Sequence, residues 1–258
     1  MRGSKSYPNI YSGTLIYSGN SGEVTRGTIK CAFKKVNETS IYKREVRFYL
    51  ISNHKNIVKC FGCFQVENLI SLELCDTDLF KLIHSPASRA VISFSQKIKY
   101  LIDIVSGMIY IHEKMKSIHG DLKLGNCLLK KNVVKICDFG NTYRINDYDK
   151  DVLSGTPNYV MPSLVKSLEV ENPKQIDIYA FGFLVWEMFT KKIAFRDMNK
   201  APMELLGFLY TKDETKDILL DLELIGNKVI RELVKKCITR QFNNFNEIEK
   251  IIKKIKTD

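Results

Sequence analysis

Between residues 13 and 36 apolar and polar positions alternate around Gly19, Gly22 and Gly27, a period-two pattern that predicts twisted β-hairpins. The pattern changes at "SIYKREVRFYLIS" (40–52). There Ile41, Val46, Tyr49 and Leu50 recur at helical spacing, which predicts an amphipathic helix. The segments "NIVKCFGCFQV" (56–66) and "LISLELC" (69–75) return to short strands. From Phe94 onward helical periods dominate. "FSQKIKYLIDIVSGMIYIHEK" (94–114) carries Ile98, Leu101, Ile102, Val105, Met108 and Ile109 at helical spacing. "NEIEKIIKKIK" (246–256) sets Ile248, Ile251, Ile252 and Ile255 on one stripe with lysines opposite. A basic amphipathic helix binds membranes or closes its own domain, and closure is the simpler expectation.

Strands first and helices afterwards predict an α+β protein. The break falls near Cys75 to Asp78. It divides a single domain over residues 1–258 into a small antiparallel β-rich lobe with one helix (about 10–75), a hinge (about 73–78) and a larger helical lobe (about 79–258). A cleft between two lobes is a common place for a ligand.

Composition narrows the class. Hydrophobic residues make up 45% and charged residues 27%, the balance of a globular chain. The longest apolar run, "IYAFGFLVW" (178–186), is half a membrane span and is flanked by Asp177 and Glu187, so no transmembrane segment is expected. "MRGSKSYPNI" has no apolar signal core and no glycine at position 2, which points away from secretion and myristoylation. Seven cysteines without framework spacing fit a reducing, cytoplasmic setting, and a monomer is the expected state. Cys60 and Cys63 have CxxC spacing, but one pair is a poor zinc site and is read as strand cysteines. The net charge of +11 is spread along the chain without a nucleic-acid motif, so it predicts a solvated basic surface or acidic substrates.

The chemistry gathers in two short stretches. "SIHGDLKLGNCLL" (117–129) contains Asp121, Lys123 and Asn126, and "ICDFG" (136–140) places Asp138 at the end of the strand-like "NVVKI". The order Asp-x4-Asn followed by Asp-Phe-Gly resembles the catalytic loop and metal-binding triplet of the protein kinases. That resemblance implies that Asp121 takes or orients the proton of an attacking hydroxyl. It also implies that Asn126 and Asp138 hold Mg²⁺ against ATP, and that Lys123 offsets charge on the transferred phosphoryl group.

The same resemblance extends from about Ile10 to Ile255. "YSGNSGEV" (17–24) is similar to the last two glycines of the family's Gly-rich loop, with Gly19 and Gly22 followed by Val24; Tyr17 stands where the first glycine is usual. "CAFKK" (31–35) matches the Ala-x-Lys strand, so Ala32 is implied to pack on adenine and Lys34 to reach the α- and β-phosphates. A buried ammonium needs a carboxylate. Glu45 is the expected partner, across a short strand-to-helix connection, with Glu38 as the alternative. "SLELC" (71–75) resembles the strand entering the hinge. It implies Leu72 as gatekeeper, purine contacts from the backbone of Glu73 and Cys75, and a ribose contact from Asp78. Ile16, Val24, Ala32 and Leu128 would enclose the ring. "GTPNYVMPSLV" (155–165) resembles the end of an activation segment, which puts Thr156 between Asp121 and Lys123, a serine/threonine-type arrangement. "DIYAFGFLVWEMF" (177–189) resembles the central helix of the large lobe in the tyrosine-kinase-like group, with Asp177 capping the catalytic loop and Trp186 in the core.

Two departures stand out. Gly120 replaces the arginine that usually binds an activation-segment phosphate, and Ser163 replaces a glutamate that usually pairs with an arginine near the last helices. The region around "CITRQFNNFNEI" (237–248) looks shortened there, so both partners are expected to be lost together, with Arg240 as a possible displaced partner. ATP and protein substrates are the implied ligands. The alternatives are a nucleotide-binding pseudokinase, and a small-molecule phosphotransferase of the aminoglycoside or choline kinase type, which shares "HGDLxxGN". Because Gly120 cannot hold a phosphate, activity is expected to survive the combined changes Thr142→Val, Tyr143→Phe, Tyr148→Phe and Ser154→Ala. Steady-state phosphotransfer by the quadruple variant checks this, and a collapse in rate would contradict it.

Overall fold

The computed structural model describes residues 10–15, 27–85, 92–147, 155–167, 170–214, 216–217 and 219–256. The first lobe is built on a four-stranded antiparallel sheet of order β1-β2-β4-β3, made from β1 (Ile10–Leu15), β2 (Gly27–Lys35), β3 (Cys60–Phe64) and β4 (Leu69–Glu73). Ala32 pairs with Leu72 and Lys34 with Ile70. Because side chains alternate across a strand, this register sets Ala32, Lys34, Ile70 and Leu72 on one face of the sheet. The Ala-x-Lys spacing therefore carries structural meaning.

The helix expected at 40–52 is α1 (Thr39–Ile51), but its buried face differs from the apolar stripe. Tyr42, Glu45, Phe48 and Tyr49 are buried, while Leu50 is 71% exposed. Glu45 and Phe48 both find partners across the lobe, and those partners set the helix rotation more strongly than the exposed leucine does.

The second lobe holds α2 (Leu79–His84), α3 (Phe94–Ile109), α4 (Pro162–Ser167), α5 (Lys174–Thr190), α6 (Pro202–Tyr210), α7 (Lys228–Ile238) and α8 (Phe245–Ile252). A π-helical turn, Tyr110–Lys114, extends α3. Ser93, Asn227 and Asn244 side chains accept backbone N–H groups and start α3, α7 and α8, as short polar residues do at helix N-termini. The apolar run at 178–186 lies within α5, which is buried on every side from Gln175 to Met188. A helix that is apolar all round needs a core, and α7 supplies one wall of it. A Cβ on Gly182 would come within 2.9 Å of Cys237 Cβ, so glycine permits this close approach. Trp186 is buried and donates its indole N–H to Asp221 O at 2.9 Å. The stripe at 246–256 packs α8 on its own lobe, with Ile248 and Ile252 buried. No helix among the described residues is long and apolar enough to cross a membrane.

Short ladders run from the hinge into the second lobe and within it. β5 (Thr77–Asp78) pairs with β7 (Cys127–Lys130), and β7 with β8 (Val133–Ile136). β6 (Ser117–Ile118) pairs with β9 (Tyr143–Arg144). Asn56 sits in the connection after α1 and donates its amide to Val134 O at 2.9 Å, while its own carbonyl accepts Ile136 N–H at 2.8 Å. All seven cysteines are free thiols. Cys60 and Cys63 lie 3.6 Å apart on β3, and burial pushes the Cys60 thiol up to about 12, which keeps it protonated.

The expected loss of both partners at Ser163 is corrected by the fold. Arg240 Nη1 lies 3.1 Å from Glu214 Oε1, and its Nε donates to Gln175 Oε1 at 2.6 Å. Glu214 Oε2 accepts the Ser163 N–H at 3.1 Å. The carboxylate thus arrives from the loop after α6 instead of from position 163, and the ion pair is kept. Glu214 is buried, so its loss strands a partly covered guanidinium. Glu214→Ala should cost about 2 kcal/mol by urea denaturation, below the figure for a fully buried pair because Arg240 keeps some solvent. A cost under about 0.5 kcal/mol would show that the pair adds little.

Candidate active site

Three charged side chains meet where β2, α1 and the turn after β8 come together. Lys34 Nζ lies 2.8 Å from both Glu45 oxygens and 2.9 Å from Asp138 Oδ1. Glu45 comes from α1, Lys34 from β2, and Asp138 from the turn after β8. Glu38, the alternative partner, is exposed at the start of α1 and accepts a hydrogen bond from Ser40. Burial alone would lower the Lys34 ammonium, but the Glu45 and Asp138 carboxylates outweigh it and hold Lys34 above its ordinary value. Burial likewise opposes ionisation of Asp138, and the adjacent Lys34 holds its carboxyl below the usual range.

Asp138 has a left-handed backbone, φ 68°, that sends its carboxylate and the Phe139 ring in different directions. Phe139 is buried, stacked on Phe48 at 3.9 Å and edge-on to Tyr49 and His119 at 5.1 and 5.3 Å. Two of those rings belong to α1. Aromatic packing therefore sets the rotation that brings Glu45 to Lys34.

The loop carrying Asp121 hangs from one carboxylate. Asp177, in the first turn of α5, accepts the N–H groups of His119 at 2.7 Å and Gly120 at 2.9 Å, and lies 2.8 Å from His112 Nε2. Its burial is complete and disfavours charge, yet the His112 hydrogen bond and the neighbouring histidines hold it below its ordinary value. Gly120 has φ 76°, and a Cβ there would sit 2.4 Å from Asn141 O. Glycine at 120 is thus also a steric matter: the positive φ aims its N–H at Asp177 and the backbone of Asn141 fills the space beyond.

Asp121 Oδ1 accepts the Thr156 N–H at 2.9 Å and its hydroxyl at 2.7 Å. Its Oδ2 is 2.6 Å from Lys123 Nζ, which also donates to Thr156 Oγ1 at 2.5 Å. Asn126 Nδ2 donates to Asp121 O at 2.8 Å and Oδ2 at 3.1 Å. With its nitrogen engaged, Asn126 presents its amide oxygen. Among the described residues no group of three or more His, Cys, Asp or Glu side chains could hold a metal alone. The oxygens of Asn126 and Asp138 are hard donors too few for a metal by themselves, and they suit Mg²⁺ that also takes phosphate oxygens.

The remaining expected residues divide. Ala32 and Leu72 face the cleft side of the sheet, and Leu128 is half-buried on β7 opposite Asp78. The Glu73 carboxylate holds Lys130 and Lys135 at 2.9 and 3.0 Å, a tie from β4 to the β7–β8 hairpin. Cys75 is half-buried, and that burial pushes its thiol up to about 11. Asp78 is buried and caps α2, accepting Lys81 N–H at 2.7 Å. Ile16, Gly19, Gly22 and Val24 lie outside the described residues.

Residues 13–254 match the protein kinase domain model. The chain belongs to the protein kinase domain family. It is 30% identical over 96% of its length to the RGS domain-containing serine/threonine-protein kinase A of Dictyostelium discoideum. It is 31% identical over 65% of its length to the serine/threonine-protein kinase CTR1 of Arabidopsis thaliana. It is 30% identical over 61% of its length to the putative serine/threonine-protein kinase L670 of Acanthamoeba polyphaga mimivirus. The chain spans 22%, 21% and 29% of those three relatives.

One site residue in this kinase domain escaped the motif reading. Glu187 is buried in α5 and accepts the Tyr159 hydroxyl, tying the "GTPNY" segment to the central helix. The lone acid in "FLVWEMF" was the available signal. Burial pushes the Glu187 carboxyl from 4.5 up to about 7. A folded value above the unfolded one means that the native state binds the extra proton between those limits, so stability falls as pH rises through them. From pH 5 to pH 7 the urea midpoint of the wild type should therefore fall relative to that of Glu187→Gln. Parallel slopes for the two proteins would show that Glu187 does not titrate there.

Proposed function

We propose that this kinase domain is an active serine/threonine protein kinase that transfers the γ-phosphoryl group of Mg-ATP to protein hydroxyls without prior phosphorylation of its activation segment. The observation that carries the reading is the joint assembly of two networks, Lys34–Glu45–Asp138 and Asp121–Lys123–Thr156, in a chain whose catalytic loop has glycine at 120. The printed names of the relatives, serine/threonine-protein kinases, support the substrate class.

In this reading Asp121 accepts the proton of the attacking hydroxyl and orients its oxygen, while Thr156 and Lys123 hold the Asp121 carboxylate in place. Lys123 also stabilises charge spreading over the transferred oxygens, and Lys34, anchored by Glu45, orients the α- and β-phosphates. Asn126 and Asp138 hold Mg²⁺, which neutralises phosphate charge when bound. Ala32, Leu72 and Leu128, with Ile16 and Val24, enclose adenine, and the backbone of Glu73 and Cys75 meets its edge. Gly19 and Gly22 cover the phosphates. The enzyme is a monomer in this reading, and the seven free thiols support a cytoplasmic place of action.

The test is label transfer from γ-labelled ATP with Mg²⁺ to generic protein substrates, run beside small amino-alcohols. Label on protein, reduced at least a hundredfold by Asp121→Ala and by Asp138→Ala, is the expected result. Nucleotide binding without transfer would establish the pseudokinase reading instead, and label on amino-alcohols alone would establish a small-molecule phosphotransferase.

A further inference from the structure

We propose that Arg44 is a positioning residue that clips α1 to the start of the activation segment and so does the ordering work that a phosphate does elsewhere. The proposal rests on the kinase reading above and concerns how its site stays assembled. Arg44 precedes Glu45 on α1 and is half-buried. Its Nη1 donates to Gly140 O at 2.8 Å and to the Tyr143 hydroxyl at 3.3 Å. Its guanidinium carbon sits 4.6 Å from the centre of the Tyr143 ring, within cation–π range. Among the described residues no carboxylate pairs with Arg44, so its partners are a carbonyl, a hydroxyl and an aromatic face. A planar guanidinium serves all three at once, where an ammonium could not.

The clip spans the elements that must agree. Gly140 is two residues beyond Asp138, and a Cβ there would come within 2.8 Å of Ile41 Cγ2, so α1 rests directly on the segment at this point. Tyr143 belongs to β9 and pairs with Ile118 of β6, the residue before His119. Arg44 therefore touches a strand that is hydrogen-bonded to the catalytic loop, while its neighbour Glu45 holds Lys34. A phosphate on the segment would ordinarily be read by an arginine at 120, and Gly120 has neither the side chain nor the room for one. Contacts between the guanidinium cation and uncharged partners give a latch that needs no phosphate to close.

A double-mutant cycle tests the idea, with Arg44→Ala, Tyr143→Ala and the combination, and Tyr143→Phe as the conservative variant. Each alanine change should lower kcat about tenfold, with KM for protein substrate little changed. The combination should fall no further than either single change, and Tyr143→Phe, which keeps the ring, should recover most of the loss. Hydrogen exchange provides a readout independent of turnover. Amides of residues 39–51 should exchange faster in Arg44→Ala, and those of α7 should not, which separates a local release from global unfolding. Additive losses in the cycle, or unchanged exchange across α1, would overturn the proposal. Should the wild type transfer no phosphate, the kinase reading fails by itself, and the exchange comparison alone decides whether Arg44 holds α1.

Discussion

The arrangement of the large lobe depends on one buried carboxylate. Asp177 has no solvent, and an isolated charge there would be prohibitively costly. Two backbone N–H groups and the His112 ring compensate it. That compensation dictates the path of residues 119–120, because the chain must turn both N–H groups inward. The left-handed φ at Gly120 follows from this demand, and Asp121 emerges next to Thr156 as a result. The carrier helix, α5, is itself buried from Gln175 to Met188, so the loop is anchored to the core of the lobe.

Aromatic packing carries the same order across the cleft. Phe139 lies between α1 and His119, and its stack on Phe48 ties the rotation of α1 to the turn that carries Asp138. The Lys34–Glu45 pair closes only when that rotation is correct. Neither half of the network is strong alone: Lys34 is 31% exposed on its side chain, and Glu45 is wholly buried. Asp138 adds a second carboxylate that helps keep Lys34 charged, whereas burial and the nearby Asp138 push the Glu45 carboxyl up and Lys34 opposes them. The ties at Asn56 and Glu73 hold the two lobes in register around this centre.

The rebuilt ion pair at Glu214 and Arg240 illustrates how a motif can disappear from the sequence while its physics persists. Ser163 offers its backbone N–H, and Glu214 reaches in from a different loop to satisfy both that N–H and the guanidinium. Chain position is free to change as long as a buried carboxylate meets a guanidinium.

Much of the molecule was legible from residue order. The change from period-two to helical spacing separates the lobes, and the order of Asp121, Asn126 and Asp138 points to the chemistry through its resemblance to the protein-kinase motifs. The resemblance of "CAFKK" to the family's Ala-x-Lys strand singled out Lys34, and the need of a buried ammonium for a carboxylate pointed to Glu45 on the next helix, which the fold brings to it. What sequence could not settle were the contacts between distant segments. The α1 stripe was misjudged at Leu50 because ring stacking on Phe139, and not hydrophobicity, decides which face is buried. The cap that Asp78 places on α2 is a local hydrogen bond that the motif did not announce. The partners Glu214 with Arg240, Tyr159 with Glu187 and Arg44 with Tyr143 are 26, 28 and 99 residues apart. Local propensity carries no information over such distances, and only the folded packing brings those side chains within hydrogen-bonding reach.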